Sequence, residues 1–277
     1  AQEILDGRGE DGNVFLDMRH IGGNVIHDRL RETGWLLDDL DGLNPTESLV
    51  PVRPAMHRPM GGVEIDINGS TSIKGLYAAG ECACAGTHGA NRLGGNSLLE
   101  CVVFGRRAGE SASRYSSNIA PSSMKDSQVK DETQRLRHIA DRKQGQDSAG
   151  TIRRSLAEVM NSDVGIFRDE KGLQNARSAV SDLKARWDNI GVNNAGSTYN
   201  MELTAIIELG FMLDAAEVTI ESALARQETR GAHCRIDFPE RDDDGWHKHV
   251  VATYSPDGPK LENKPVVVTH WKQGEVC

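Results

Sequence analysis

Three residues between positions 57 and 109 have the type and the setting that chemistry requires: His57, Glu81 and Arg92. Arg92 stands in the run THGANRLGGNS, where Gly and Asn neighbours leave little bulk around its side chain. A guanidinium is a planar fork that meets a carboxylate with two parallel hydrogen bonds, so an arginine in such a loop suits an anionic ligand. His57 is followed by Gly61 and Gly62, where another backbone can approach closely. Glu81, beside Gly80, can accept hydrogen bonds from sugar hydroxyls, as acidic residues do in dinucleotide sites. Each has a plainer alternative: a surface arginine, a structural histidine, a capping or surface charge.

The elements that must position these residues can be read around them. GLYAAGE predicts a short buried strand in which Leu76, Tyr77, Ala78 and Ala79 lead to Gly80 and Glu81. Ser97 and Glu100 have the S-x-x-E spacing of a capping box, opening a helix that runs to about residue 115. Its first turns (Leu98, Leu99, Cys101, Val102, Val103, Phe104) are apolar nearly all round, so a buried helix is expected. The glycine-rich loop between strand and helix can bring backbone N–H groups to a ligand. The helix start, at Ser97 and Leu98, adds positive potential there. His88 is expected only to shape the loop. Residues 63–67 alternate as a strand does, and Asn68-Gly69 suits a tight turn.

The rest of the chain reads as support. Gly7, Gly9 and Gly12 match G-x-G-x-x-G, but the fingerprint needs a strand before it and a helix after it. Here NVFLDM, a strand pattern over 13–18, follows, so a turn is expected instead. Residues 20–40 predict two short helices broken at Thr33-Gly34, and residues 49–52 an extended segment. Residues 116–131, with Pro121, read as a linker. From 132 to 229 the pattern is helical. Leu173, Ala176, Val180, Leu183 and Trp187 form one stripe, and Ile206, Leu209, Leu213, Ala216, Ile220 and Ala223 another, as in the core of a helical bundle. Arg230-Gly-Ala-His233 reads as a structural junction, with Gly231 capping a helix. Strands at 250–254 and 265–269 flank a turn at 255–258.

The 277 residues suffice for one large domain or two smaller ones. A net charge of −9 argues against a nucleic-acid surface. No run approaches the ~18 consecutive apolar residues of a membrane span, and the first residues lack the pattern of a signal peptide. Of the five cysteines, Cys82 and Cys84 are too close for the usual zinc or iron–sulfur spacings. Cys101, Cys234 and Cys277 add no metal pattern, so reduced structural thiols and no metal site are expected.

HRPMGGVEID, GLYAAGE, HGANRLGGNSL and VVFGRRAGE together resemble the flavoprotein subunit of succinate dehydrogenase and fumarate reductase. ETRGAHCRIDFPERDDDGWHKH and KPVVVTHW resemble that family's C-terminal segments, so nearly all of the chain can be aligned with it. The resemblance implies an α/β plus α fold. Residues 1–54 would be the tail of a capping domain and 55–116 the second segment of a Rossmann-like FAD-binding domain. A helical bundle over 117–231 and a small β segment over 232–277 would follow. It implies FAD as cofactor and hydride exchange between flavin and a dicarboxylate, succinate or fumarate. His57 and Arg92 would hold substrate carboxylates, Glu81 would bind FAD, and the backbone of Ser97 and Leu98 would meet the flavin ring. An iron–sulfur subunit would take the electrons. Membrane anchor subunits would hold the assembly on the inner face of a cell membrane, or on the matrix side in a mitochondrion.

The family's G-x-G-x-x-G fingerprint, its flavin-tethering histidine, its proton-delivering arginine and its Thr-Glu pair have no counterpart here. Arg8, Arg19 and Arg29 offer no evident replacement. The expectation is therefore a C-terminal portion of the family's chain, which alone binds FAD weakly or not at all and does not turn over. Two other readings stand beside this one: a related L-aspartate oxidase, which has a similar HGANR loop, and a catalytically silent interaction fragment.

Overall fold

A computed structural model describes residues 1–120, 123–142, 145, 147–194, 196 and 198–268. Pro121, Thr269 and Cys277, which figured in the sequence reading, lie outside the described residues. The chain divides into two compact units, Ala1–His57 and Arg58–Cys277.

In the first unit, helix α1 (Gln2–Leu5) precedes the glycine run and strand β1 (Val14–Leu16) follows it. Gly7 and Gly12 have positive φ, and Glu10 and Asn13 exchange backbone hydrogen bonds, so the run is a turn, as its inverted context requires. β1 pairs antiparallel with β2 (Val50–Val52). Helices α2 (Gly23–Arg29) and α3 (Arg31–Asp41) meet at Leu30 rather than at Thr33-Gly34. An isolated glycine costs a helix only about 1 kcal/mol and does not break it. Gly34 lies inside α3, facing the side chain of Ile26, and its N–H donates to the Leu30 carbonyl. Met18, Ile26 and Val50 form this unit's small core, with Leu37 against them.

The second unit begins with short elements. Strand β3 (Val63–Glu64) pairs parallel with β4 (Ala83–Cys84). The strand expected over 63–67 is cut short because the Asp66 carboxylate turns the chain, accepting from the N–H groups of Asn68 (2.8 Å) and Ser70 (2.9 Å). The buried strand expected at GLYAAGE does not form. Tyr77 makes one isolated bridge to Ser70, Leu76 is exposed, and Gly80–Cys82 is a 3-10 turn. An apolar run does not itself say whether a neighbouring strand exists to pair with it.

Helix α4 (Asn96–Ser117) is as long as expected but oriented otherwise. Leu98, Leu99 and Val102 are 76%, 61% and 71% exposed, whereas Ser97, Glu100 and Ala108 are buried. Ala108 fixes the helix against the Asp66 turn: a Cβ on Gly69 would come within 2.5 Å of the Ala108 Cβ.

Helices α5 (Asp126–Ala140), α6 (Ala149–Asp163), α7 (Glu170–Trp187) and α8 (Met201–Ala225) surround the main core. Both sequence stripes lie in it: every named residue of α7 and α8 is buried except Trp187, which packs on its edge. Ser148, Asp169 and Asn200 cap α6, α7 and α8 through side-chain oxygens that accept backbone N–H bonds. Trp187 donates from Nε1 to the Ile206 carbonyl at 2.6 Å and lies over Gly210, joining α7 to α8.

Strand β5 (Phe167–Arg168), between α6 and α7, pairs parallel with β6 (Cys234–Arg235), which follows α8. After helix α9 (Asp243–Trp246), β7 (Lys248–Thr253) and β8 (Lys260–Pro265) form an antiparallel hairpin about the expected turn. β8 lies earlier than the expected 265–269. Its sequence, KLENKP, lacks β-branched residues, so its pairing is not visible as propensity. Among the described residues, no helix is long and apolar enough to cross a membrane.

Candidate functional site

Two candidate residues of the second unit, Glu81 and Ser97, meet at a buried arginine that sequence reasoning passed over. Arg58, its side chain 4% exposed, directs one guanidinium nitrogen to the Ser97 hydroxyl (3.2 Å) and to the Glu81 carboxylate (3.2 Å). The other reaches the Glu100 carboxylate at 3.5 Å. Glu100 is buried as well. It accepts from the Thr87 hydroxyl at 3.2 Å and meets His88 Nε2 at 2.6 Å. A carboxylate can only accept, so His88 Nε2 carries the proton in this pair. Nε of Arg58 and Nδ1 of His88 are buried without a hydrogen-bond partner among the described residues.

This arrangement corrects the capping-box expectation. The N-cap of α4 is Gly95, in a left-handed conformation, and Ser97 lies inside the first turn. Ser97 and Glu100 turn their side chains inward to Arg58 instead of capping each other. The first N–H groups of any helix lack intrahelical partners, and Gly95 has no side chain to cap them. The surface beside them is open: a Cβ on Gly94 or Gly95 would meet nothing within 4 Å. Leu98, in the same first turn, is exposed. Uncapped N–H groups, positive helix potential, an apolar side chain and the half-exposed Glu81 carboxylate suit a flat ring system carrying hydroxyls and partial negative charge. The donor set fits a flavin nucleotide.

Between Cys84 and α4 the chain makes consecutive turns from Thr87 to Ala90. Arg92 follows them, half-buried, its N–H donating to Asn91 Oδ1 at 2.9 Å. Thr87 and His88 are tied to Glu100 from one side. From the other side comes the RGAH turn. Arg230 and His233 exchange backbone hydrogen bonds around Gly231, so Gly231 (φ 58°) closes a tight hairpin rather than a helix, whose C-cap is Arg226. A Cβ on Gly231 would lie 2.9 Å from the Ala90 Cβ, and Ala232 N–H donates to the Ala90 carbonyl. RGAH is thus the seat of the loop that carries Arg92. His57, exposed, ends the first unit. Glu81 and Ser97 are therefore brought together through Arg58, Leu98 is beside them, and Arg92 sits on the connecting loop. Arg58, Thr87, His88 and Glu100 were missed as a group. The sequence signal for Arg58 was its place directly after His57.

The RGAH turn rests on ionic contacts of its own. His233 Nδ1 accepts from Arg168 at 2.9 Å and Nε2 donates to the Arg226 carbonyl at 3.2 Å. Burial first, then the charge of Arg168, lowers its pKa from an ordinary 6.5 to about 4. The unfolded chain therefore takes up a proton between pH 6.5 and 4 that the folded chain refuses. This contribution is complete above pH 6.5 and is lost as pH falls through 4, at about 2–3 kcal/mol in all. Urea unfolding at pH 7.5 and 4.5 should show a smaller loss of stability for His233→Gln than for the parent; equal losses would contradict the assignment.

Residues 1–98 match the family model "FAD binding domain", and residues 153–276 match "Fumarate reductase flavoprotein C-term". A fumarate reductase flavoprotein subunit of Haemophilus influenzae is 42% identical over 92% of this chain and 43% of its own length. A succinate dehydrogenase flavoprotein subunit of Rickettsia conorii is 34% identical over 96% of this chain and 47% of its own. The solved quinol fumarate reductase flavoprotein of E. coli superposes with a TM-score of 0.94 at 36% identity, over 99% of this chain and 48% of that one. The chain spans somewhat less than half the length of these relatives.

Proposed function

The chain belongs to the flavoprotein-subunit family of fumarate reductase and succinate dehydrogenase, and from that premise we propose that it is part of an FAD-dependent catalytic subunit interconverting succinate and fumarate. The observation that carries this reading is the Arg58 cluster, which joins Glu81 and Ser97 beside the open end of α4 with Arg92 on the adjoining loop.

FAD supplies the hydride chemistry when bound. The chain's own residues do the rest. Glu81 accepts hydrogen bonds from hydroxyls of the cofactor, and the N–H groups of Ser97 and Leu98, at a positive helix end, stabilise negative charge on the ring. Arg92 grips one substrate carboxylate with its two-pronged fork and fixes the dicarboxylate for reaction. His57 is a second carboxylate-binding residue. In this reading residues 1–54 are the tail of a capping domain and 55–116 the second segment of a Rossmann-like FAD-binding domain. Residues 117–231 form a helical bundle and 232–277 a small β segment. An iron–sulfur subunit takes the electrons, and anchor subunits hold the complex peripherally on a membrane.

The test is optical. In the flavoprotein that carries this chain, succinate should bleach the flavin absorbance and fumarate restore it. Bleaching by L-aspartate and not by succinate would overturn the reading in favour of an aspartate oxidase.

A further inference from the structure

Glu100 belongs to neither set of proposed ligand-binding residues, yet it is the group to which both are tied. Its side chain is 3% exposed. One of its oxygens accepts from Thr87, and the other meets His88 and Arg58. Thr87 and His88 begin the turns that lead to Arg92, while Arg58 holds Glu81 and Ser97. A buried carboxylate is costly to desolvate and is retained at little cost only where several donors satisfy it. Here the donors come from two separate chain segments, Arg58 and the Thr87–His88 turn, so moving either of them leaves charge uncompensated. The arrangement therefore resists small displacements of the loop relative to α4, and a misplacement of about 1 Å can cost a reaction on the order of a hundredfold.

We propose that Glu100 is a positioning residue: through His88 and Thr87 it fixes the loop carrying Arg92, and through Arg58 it keeps that loop in register with the cofactor-facing residues Glu81 and Ser97. The proposal rests on the reading of Arg92 as a carboxylate clamp. It predicts that loss of the Glu100 charge acts on substrate binding through Arg92, whereas the cofactor-facing Glu81 and Ser97 keep their direct bonds to Arg58.

The experiment compares the parent flavoprotein with Glu100→Gln, Arg92→Lys and the double variant. Glu100→Gln should raise KM for fumarate by on the order of ten- to a hundredfold with FAD per protein unchanged. The double variant should be no worse than Arg92→Lys alone, because both changes remove the same interaction. Multiplying effects, or an unchanged KM, would overturn the proposal. An unchanged KM in Arg92→Lys would instead defeat the clamp reading. A second measurement separates the two failures: in the 277-residue chain itself, hydrogen exchange of the amides at 87–92 should accelerate in Glu100→Gln while α7 and α8 stay protected. Should Glu100→Gln not fold, His88→Gln, which leaves the Arg58–Glu100 pair in place, serves both measurements. Unchanged loop exchange in the folded variant would overturn the proposal.

Discussion

Arg92→Gln is expected to lower kcat/KM for fumarate by about 10²–10⁴-fold in the flavoprotein that carries this chain. Two charge-assisted hydrogen bonds to a carboxylate are worth about 3–6 kcal/mol, and each 1.4 kcal/mol is a factor of ten. Glutamine keeps a donor but loses the charge and the parallel geometry, so most of that energy goes. The side chain is half-buried just past a run of turns, and FAD content measured alongside separates a lost substrate contact from a lost cofactor. A rate within about tenfold of the parent would mean that the substrate carboxylate is held elsewhere.

The largest expected effect on stability lies at Glu228, which is fully buried. Its carboxylate takes two hydrogen bonds from Arg230 (2.7 and 2.9 Å), one from the Asp242 N–H (3.0 Å) and one from Arg226. Burial alone would push its pKa up. The bonds from Arg230, Asp242 and Arg226 outweigh it, and the group lies below the usual carboxylate range. Glu228→Ala removes the anion and leaves two largely buried guanidinium groups facing a cavity. Breaking a buried pair in this way costs about 3–5 kcal/mol, which urea unfolding at neutral pH measures directly. A loss below about 1 kcal/mol would show that solvent reaches the arginines freely. Arg230 keeps its bond to Asp243 and Arg226 its bonds to the Trp246 and Lys248 carbonyls, which offset part of the loss.

The helical part of the fold was legible because its signals are local and periodic. The stripe from Ile206 to Ala223 repeats every three or four residues, and burial of those residues follows from helix geometry once a partner helix exists. The short strands were not legible to the same degree. β8 is mostly polar and its pairing depends on β7, and the apolar run at Leu76 lacks the ladder that would bury it. Within the candidate site, Arg92 and Glu81 stood out because glycines flank them. Ser97 and Glu100 were misread because S-x-x-E spacing satisfies a local capping rule, whereas their actual partner, Arg58, lies 39 and 42 residues away. No periodicity connects such positions. The tie between Ala90 and the RGAH turn was invisible for the same reason, with Gly231 read as a helix end.

That tie has a consequence for how the protein is made. Ala90 and Gly231 are separated by about 140 residues of chain, which a ribosome adds in about 7–30 s at ~5–20 residues per second. During that interval the Arg92 loop has α4 beside it but nothing for Ala90 to rest on. Newly synthesised protein therefore passes through a stage in which the arginine loop is tied to α4 through Glu100 but lacks its seat on the RGAH turn. Any cofactor captured in this period meets one finished wall and one unfinished one.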